Sequence, residues 1–351
     1  MAYQNIGTPR FYIDATCYFN SIGVEYIGME LKGSTILNKD LFELNPNNPV
    51  FIGNEQEMTI SIQFPEDIFI KNIFDTSKGY FGFINHSISS SNNLFFQMTT
   101  DLGYNVTEVI NIEPGGTQRD LIHNKGFSIC TFNYEIENNS VKFRTIYHVD
   151  PITFEPIPFY MGGITFGSYY DMPHSPELDV TMTIENDGYD AITTQGGAHL
   201  TNIRYDGAPM WERVDGTQIP PWTIGEPTAV GRRRGRRVWS MNFKYLSEKD
   251  LFASNYMSNN YTENSDGYDS ADLDTDADGN EVFYYNLDND DSFHAQVLNK
   301  IGNGQRFIFQ PDNTNNNPDQ FAICQLDQDS LNIKQVANGV YDISLKIIEV
   351  W

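Results

Sequence analysis

The end of the sequence constrains the fold most strongly, because apolar and polar residues alternate there without interruption. Across residues 340–347, four apolar residues alternate with three polar ones: Tyr341, Ile343, Leu345 and Ile347 against Asp342, Ser344 and Lys346. A period of two residues is typical of a strand that buries one face. The Asn-Gly pair at 338–339 lies just before this run and predicts a hairpin turn. We therefore expect the final strand to belong to a small antiparallel sheet.

A short helix is predicted before this sheet. Four apolar residues fall on one helix face, after polar residues that can cap it: Phe293, Val297, Leu298 and Ile301 after Asp290, Asp291 and Ser292. Gly302 and Gly304 are expected to end the helix. We interpret the helix and the final sheet as a unit that docks onto other protein surfaces.

Two further alternating segments are predicted to be strands. Residues 236–246 give the clearest alternation in the chain, and the side chains expected to face the core are Trp239, Met241, Phe243 and Tyr245. Residues 180–185 alternate in the same way. Ser247 is a candidate cap for a short helix that follows the first of these strands.

Residues 1–170 are predicted to form a β-sandwich. Short runs rich in β-forming residues, including RFYIDATCYF at 10–19, are separated by polar turns, with hardly any helical period. This pattern predicts a jelly-roll-like fold. The stretch 171–178 contains two prolines and is interpreted as the linker into a second β domain, residues 171–351. Residues 254–291 are interpreted as a long Asp-rich insertion in that domain.

Composition narrows the possible functions. Charged residues make up 20% of the 351 residues, yet the net charge is −25. Nucleic-acid binding needs a basic surface, so we predict no sequence-specific nucleic-acid partner. A large net charge keeps an assembly protein soluble before it assembles. The three cysteines are far apart and odd in number, which argues against a disulfide framework and predicts buried thiols.

The sequence gives no sign of membrane insertion or secretion. No stretch is long and apolar enough for a spanning helix to be expected. The N-terminal residues lack the basic and apolar regions of a secretory signal. We therefore expect synthesis in the cytoplasm and no membrane partner.

An acidic motif inside the insertion matches half of a calcium-binding loop. In DTDADG, Asp274, Asp276 and Asp278 occupy alternate positions before Gly279. Carboxylates in this pattern, followed by a glycine, match the first half of an EF-hand loop. Tyr285 stands where that loop needs an acidic residue, so the EF-hand is incomplete. A calcium site at the three aspartates and a solvated acidic insertion are both kept as interpretations, and no other cofactor is predicted.

Arginines are concentrated in GRRRGRRV, residues 231–238, of an otherwise acidic chain: Arg232, Arg233, Arg234, Arg236 and Arg237. We predict that they make an ionic contact with the acidic surface of a neighbouring copy. A solvated loop before a strand and a nucleic-acid phosphate contact are the alternatives. The lack of interleaved aromatic residues disfavours the nucleic-acid alternative.

The sequence contains none of the common catalytic signatures. It has no GxSxG, P-loop, HExxH, or GxGxxG placed between a strand and a helix. Its histidines have no spacing that predicts zinc. We therefore predict a protein that is not an enzyme and has no catalytic residues. Exposed tyrosines with Trp211 and Trp222 could stack on sugar rings; alternatively, the two tryptophans anchor their loop to a core.

Several phrases of the sequence together resemble virion structural proteins of tailed bacteriophages. They are spread over most of the chain outside the Asp-rich insertion: MAYQNIGTPRFYID, GFINHSI, ITFGSYYDMPHSPEL, GAHLTNIRYDGAPMW, RRGRRVW, FKYLSEKDLF, FIFQPDNTNNNPDQFAICQLD and QVANGVYDISLKIIEVW. These are structural phrases rather than active-site motifs. They indicate that the protein belongs to a phage particle, but they say little about its position within the particle.

The succession of a strand, a long excursion, a helix and a closing sheet resembles the fold shared by tail-tube and distal-tail ring proteins. This resemblance implies that residues 171–351 form a tail-tube-like β domain, whose subunits join by strand edges into a ring, usually hexameric. It also implies a location in the virion and other virion proteins as partners. The expected function is therefore a structural tail or tail-tip ring or adaptor protein. The alternative is a host-surface glycan-binding module carried by residues 1–170 and their exposed aromatic side chains.

Overall fold

A computed structural model shows a mainly β protein, as the sequence predicts. It describes residues 7–23, 28–32, 39–47, 49–52, 58–63, 78–87, 93–99, 109–112, 120–124, 126–132, 140–149, 159–186, 189–203, 211–212, 218–219, 222, 235–252, 273–275, 281–283, 291–302 and 304–351.

The strands follow one another in this order: β1 (Arg10–Asp14), β2 (Gly28–Lys32), β3 (Val50–Ile52), β4 (Met58–Gln63), β5 (Gly79–His86), β6 (Asn93–Thr99), β7 (Val109–Ile112), β8 (Asp120–Asn124), β9 (Phe127–Phe132), β10 (Ser140–Val149), β11 (Phe159–Asp171), β12 (Thr181–Glu185), β13 (Tyr189–Thr193), β14 (His199–Ile203), β15 (Trp211–Glu212), β16 (Gln218–Ile219), β17 (Arg236–Ser247), β18 (Leu273–Thr275), β19 (Glu281–Phe283), β20 (Phe307–Gln310), β21 (Ala322–Leu326), β22 (Ile333–Ala337) and β23 (Val340–Glu349).

The helical segments in the described part of the chain are short. They are α1 (Ala15–Ser21), α2 (Glu248–Leu251), a π-helical turn (His294–Leu298) that continues into α3 (Asn299–Ile301), and 3-10 turns at Lys39–Phe42 and Pro318–Gln320.

Most of these strands lie in one antiparallel sheet. Its order is β12-β17-β23-β21-β20-β1-β11-β5-β9-β8, with β22 beside β23 and β3 beside β11. A second sheet has the order β2-β4-β10-β6-β7. Separate two-stranded hairpins are formed by β13 with β14, β15 with β16, and β18 with β19.

Strand β1 lies inside the large sheet and joins segments from opposite ends of the chain. Arg10 is in register with Asp171 of β11 on one side and with Gln310 of β20 on the other. The predicted boundary between domains 1–170 and 171–351 falls inside β11. Strands from both sides of that boundary share the sheet, so the boundary does not coincide with a break in it.

Successive side chains of β1 enter different hydrophobic clusters, because neighbouring residues of a strand point to opposite faces. Phe11 contacts the rings of Phe293 and Phe309, with centroids 5.7 and 5.2 Å away. Tyr12 belongs to the other cluster, and its hydroxyl donates to Oε1 of Gln310 at 2.8 Å. The large sheet is therefore covered by apolar side chains on both faces at β1.

The tryptophans considered for sugar stacking are part of the second cluster. Trp211 and Trp222 are 3% and 2% exposed. The Trp222 ring meets Phe127 edge-on at 5.0 Å and stacks on Phe321 at 6.1 Å. These two tryptophans therefore anchor their segment to the core, and the stacking interpretation was wrong for them.

The predicted C-terminal strand and hairpin are confirmed, but the expectation of a small sheet was wrong, because β23 lies between β17 and β21 in the large sheet. Strand β23 buries the expected side chains: Tyr341, Ile343, Leu345 and Ile347. Strands β22 and β23 pair around residues 338–339, where Gly339 has a φ of +64° that glycine adopts readily. The cysteines are also buried free thiols, as expected: Cys17, Cys130 and Cys324.

The helix predicted before the C-terminal sheet is confirmed, although its first turn is π-helical. The Ser292 hydroxyl accepts a hydrogen bond from the backbone N–H of Ala295 at 3.3 Å. Phe293, Val297 and Ile301 are buried as predicted. The helix ends at Gly302, which has a φ of +49°.

The interpretation of residues 10–19 as one strand was wrong, because β1 ends at Asp14 and α1 follows. The Asp14 carboxylate accepts the backbone N–H of Cys17 at 2.7 Å and so caps the helix. The aromatic residues Tyr18 and Phe19 are buried by the helix rather than by a strand. Their β propensity gave the misleading signal.

The prediction that Tyr245 faces the core was also wrong. A bulge in β17 shifts the register with β23 between Phe243 and Leu246. Tyr245 takes a φ of +62° and is 75% exposed, whereas Leu246 is buried. An extra residue in one strand turns the following side chains to the opposite face.

Replacing Tyr245 with glycine should stabilise the protein. The left-handed conformation costs a residue with a side chain about 1–2 kcal/mol, and glycine adds about 0.5–1 kcal/mol of unfolded-state entropy. We expect Tyr245→Gly to raise the free energy of unfolding by about 0.5–1 kcal/mol in urea titrations. Ser240→Gly, at an exposed position of the same strand, should instead lower it. A loss of stability in Tyr245→Gly would contradict this account.

Candidate functional site

The most distinctive exposed feature is a group of apolar side chains on β12, at one end of the large sheet, and on the hairpin that follows it in the chain. Met182 and Ile184 of β12 are 55% and 50% exposed. In the hairpin that follows, Ile192 and Leu200 are 65% and 59% exposed. We call β12 together with the β13–β14 hairpin the edge surface.

Strand β12 ends the sheet. Its five residues pair with β17, from Thr181 opposite Ser240 to Glu185 opposite Arg236. Among the strands that the structure describes, β17 is its only partner. Natural edge strands are often protected by lysine, proline or a bulge. The sequence TMTIE contains neither residue, and its pairing with β17 shows no register shift. The strand can therefore accept another strand along its outer edge.

The β13–β14 hairpin has a well-defined turn. The backbone N–H of Thr194 donates to the carbonyl of Ala198 at 2.9 Å, and that of Gly197 donates to the carbonyl of Thr194 at 2.9 Å. Gly197 has a φ of +81°, as expected for a three-residue loop that ends in a left-handed residue. The Thr194 hydroxyl also accepts the N–H of Ala198 at 3.1 Å. The hairpin tip is thus fixed by its own hydrogen bonds.

The two apolar side chains of this hairpin form a cross-strand pair. Ile192 and Leu200 are in register with each other, so their side chains share one face. Most described residues of the hairpin are exposed, and its strands pair with no further strand in the described segments. A two-stranded hairpin is marginally stable in water without further cover. Its exposed apolar pair is suited to contact with another protein surface.

The structure separates the predicted arginine cluster. Arg237 is 6% exposed and forms an ion pair with the buried carboxylate of Glu349, with Nη2 and Oε1 3.0 Å apart. Its guanidinium also donates to the carbonyls of Asp319 and Phe321. Arg237 is therefore engaged within its own chain, and its part in an inter-subunit contact stays a prediction.

Arg236 has different surroundings from Arg237. The Arg236 guanidinium lies over the ring of Trp351, 4.7 Å from its centroid. Arg232, Arg233 and Arg234 lie outside the described residues, so the inter-subunit contact stays a prediction for them.

The predicted calcium site is not tested. Asp274 lies in β18, which pairs with β19. Asp276 and Asp278 lie outside the described residues. Within the described segments, no group of three or more His, Cys, Asp or Glu side chains is arranged to hold a metal ion.

A buried carboxyl group lies where β1 meets α1. Asp14 is 2% exposed, and its Oδ1 accepts hydrogen bonds from the Thr16 hydroxyl at 2.5 Å and the Cys17 N–H at 2.7 Å. Burial raises the pKa of the Asp14 carboxyl, and these hydrogen bonds oppose that effect. Nearby, the hydroxyls of Tyr80 and Thr165 are hydrogen bonded at 2.7 Å. Through these contacts of Oδ1, Asp14 caps the N-terminus of α1 inside the core.

Sequence reasoning identified β12 as an alternating strand but not its exposure. It did not identify the β13–β14 hairpin. The signal was present in the turn TTQGGA, where adjacent glycines lie between two β-forming runs.

Comparison with known proteins gives no family. No family model matches the chain, and no curated protein sequence matches it. Similar solved structures include CpGH89CBM32-6 produced by Clostridium perfringens, which has 14% identity and a TM-score of 0.27 and covers 40% of this chain and 92% of that one. They also include a DUF4466 family protein from Parabacteroides merdae, with 9% identity and a TM-score of 0.18. That match covers 93% of this chain and 100% of the other one. Both TM-scores are below 0.5, so neither similarity defines the fold or function of this chain.

None of the helices in the described segments is both long and apolar enough to cross a membrane.

The buried ion pair gives a test of the Arg237 assignment. Arg237→Met should lower the free energy of unfolding by about 3–5 kcal/mol, because it leaves the Glu349 carboxylate buried without its partner. The double variant Arg237→Met with Glu349→Leu should recover at least half of this loss, since no uncompensated charge remains. Urea unfolding of the three proteins provides the measurement. Equal stability of wild type and Arg237→Met would show that the ion pair does not have this structural role.

The buried Asp14 carboxyl predicts a specific pH dependence. In the unfolded chain the Asp14 carboxyl has a pKa of about 4, and in the folded chain its pKa is higher. As the pH rises from the unfolded pKa to the folded pKa, the unfolded chain loses this proton first, so the free energy of unfolding falls. Asp14→Asn retains a neutral cap and removes the titration. The stability of Asp14→Asn relative to wild type should therefore increase with pH across this window in unfolding titrations. If the stability of Asp14→Asn relative to wild type stayed constant or decreased with pH, the raised pKa of Asp14 would be contradicted.

Proposed function

We propose that this chain is a non-enzymatic structural component of a tailed-phage virion, a tail or tail-tip ring or adaptor protein that assembles with its own copies through strand edges. The phrases that resemble virion proteins suggest the particle. The edge surface suggests how the subunits join.

The exposed edge of β12, which has no lysine, proline or bulge and one charged residue, Glu185, is the observation that supports this proposal. Addition of a strand to a sheet edge satisfies a row of backbone donors and acceptors at once. In β12 such an addition would also cover Met182 and Ile184, which are half exposed. Burial of apolar side chains favours association by roughly 25 cal/mol per Å².

A second edge strand of the same sheet shows the usual protection. Among the described strands, β22 pairs with β23 alone, and it carries the exposed side chain of Lys334. A lysine on an edge strand discourages pairing with another chain. The absence of such a residue from β12 therefore favours this edge as the one used for assembly.

The charge distribution is compatible with self-association. Copies of a chain with a net charge of −25 repel one another unless they meet through a surface with few like charges. Residues 191–203 of the hairpin contain no Asp, Glu, Lys or Arg, and the strands of the edge surface carry only two carboxylates, Glu185 and Asp190. Arg232, Arg233 and Arg234 remain the predicted basic contribution to a subunit contact.

The alternative function, glycan binding by exposed aromatic residues, has weaker support. Trp211 and Trp222 are buried, so they cannot supply a stacking platform. Glycan binding by residues 1–170 stays a prediction without an observation that favours it.

Assembly can be tested by negative-stain electron microscopy and native mass measurement on the same purified sample. We expect closed rings or defined oligomers from the wild-type chain. The variant Met182→Lys with Ile184→Lys should remain monomeric, because it places two charges on the edge strand. Its melting temperature should stay close to that of the wild type, since both side chains are already half exposed.

Tyr245→Lys is a matched control for this experiment. It introduces one lysine, where the β12 variant has two, at a 75% exposed position of β17 outside the β12 pairing, and should assemble normally. Oligomers formed by the β12 variant would contradict the assignment of the edge. A wild-type chain that stays monomeric at every concentration would contradict self-assembly.

The virion assignment has its own test. Mass spectrometry of purified particles of the phage that encodes this chain should detect it in defined copy number. Its absence from intact particles would overturn that part of the proposal.

A further inference from the structure

A polar cavity lies where α1 meets the segments around residues 44 and 305. Its volume is about 410 Å³. The polar side chains that define its chemistry are Asn20, Glu43, Asn45, Gln305, Arg306 and Gln325. They come from both predicted domains, so no single stretch of the sequence encodes the cavity.

The backbone of the cavity wall has an unusual conformation. Leu44 has a φ of +50°, which is unfavourable for a residue with a side chain. Its side chain is buried in the core, and its carbonyl accepts a hydrogen bond from Nη1 of Arg306 at 3.2 Å. These two contacts fix the turn that brings Glu43 and Asn45 to the cavity. Strained backbone that its surroundings fix in place is typical of binding sites.

The opposite wall is also fixed by a hydrogen bond. The Gln325 carboxamide donates to the carbonyl of Gly304 at 2.7 Å. A side chain at Gly304 would meet no atom within 4 Å, so the cavity is open beside this residue.

The lining determines the class of ligand. A carboxamide both donates and accepts hydrogen bonds, as a sugar hydroxyl does. Four such groups line the cavity, and the Arg306 and Glu43 charges balance each other. An anion is disfavoured because it would lie close to the negatively charged Glu43 carboxylate. An apolar ligand is disfavoured because it would cover polar groups without forming hydrogen bonds to them. These properties favour a neutral ligand with many hydroxyl groups.

The volume fits a single sugar ring. An apolar cavity of about 150 Å³ accommodates benzene, which corresponds to about 25 Å³ per non-hydrogen atom. On that scale the cavity accommodates a hexose of about twelve non-hydrogen atoms together with a few waters.

We propose that this cavity binds one neutral sugar residue through its carboxamide side chains, Glu43 and Arg306. The site is distinct from the edge surface and does not depend on the assembly role. It also differs from a site on the exposed aromatic residues of 1–170, because four of its nine lining residues come from residues 304–325.

Titration calorimetry and saturation-transfer NMR on the full chain test this proposal. The probes are the methyl glycosides of glucose, galactose, mannose and N-acetylglucosamine, with inorganic phosphate as the charged comparison. We expect at least one glycoside to bind with a Kd on the order of 1 mM, as suits a small hydrophilic ligand, and phosphate not to compete with it.

Variants locate the binding. Asn45→Ala with Gln305→Ala should weaken binding of that glycoside at least tenfold. Glu43→Gln, at an exposed position that leaves the fold intact, should weaken it several-fold. Gln335→Ala, on the exposed strand β22, is the matched control and should bind as the wild type does. Thermal melting confirms that each variant is folded.

Two results would overturn the proposal. One is that no glycoside binds at millimolar concentration or that phosphate binds in its place. The other is that a glycoside binds with equal affinity to the wild type and to both cavity variants.

Discussion

The rest of the structure depends on the insertion of β1 between β11 and β20. Without this strand the large sheet would consist of two unconnected parts. The Arg10 guanidinium donates to both carboxylate oxygens of Asp171, at 2.7 and 2.8 Å, and lies 4.2 Å from the centre of the Tyr169 ring. Since this ion pair is partly exposed, the apolar contacts of Phe11 and Tyr12 contribute more to the stability of the junction.

Elements specified by local sequence were predictable, and contacts between distant segments were not. The alternation in β23, the Asn-Gly turn and the helix before Gly302 follow from neighbouring residues. The pairing of β1 with β20 has no local signal, because its partners are distant in sequence. The same limit explains two wrong predictions, the single strand over residues 10–19 and the burial of Tyr245. The capping role of Asp14 depends on where β1 stops, and the exposure of Tyr245 depends on a bulge relative to β23.

In the candidate sites too, features of the local sequence were predictable and contacts between distant segments were not. The arginine cluster was visible in composition, but the burial of Arg237 depends on Glu349, which is 112 residues away. The alternation in β12 was visible too, yet only the strand order shows that this strand ends the sheet. The polar cavity had no signal at all, since its walls come from residues 17–45 and 304–325 and from the backbone conformation of Leu44.

The position of β1 also sets the order of events during synthesis. The Tyr12 hydroxyl bonds to a residue 298 positions later in the chain. At about 5–20 residues per second, a ribosome needs about 15–60 s to make the intervening chain. During that time β1 can pair with β11 but has an unsatisfied edge where β20 will lie. The nascent chain therefore exposes this edge for that time, and like charges on a chain of net charge −25 oppose association between nascent copies.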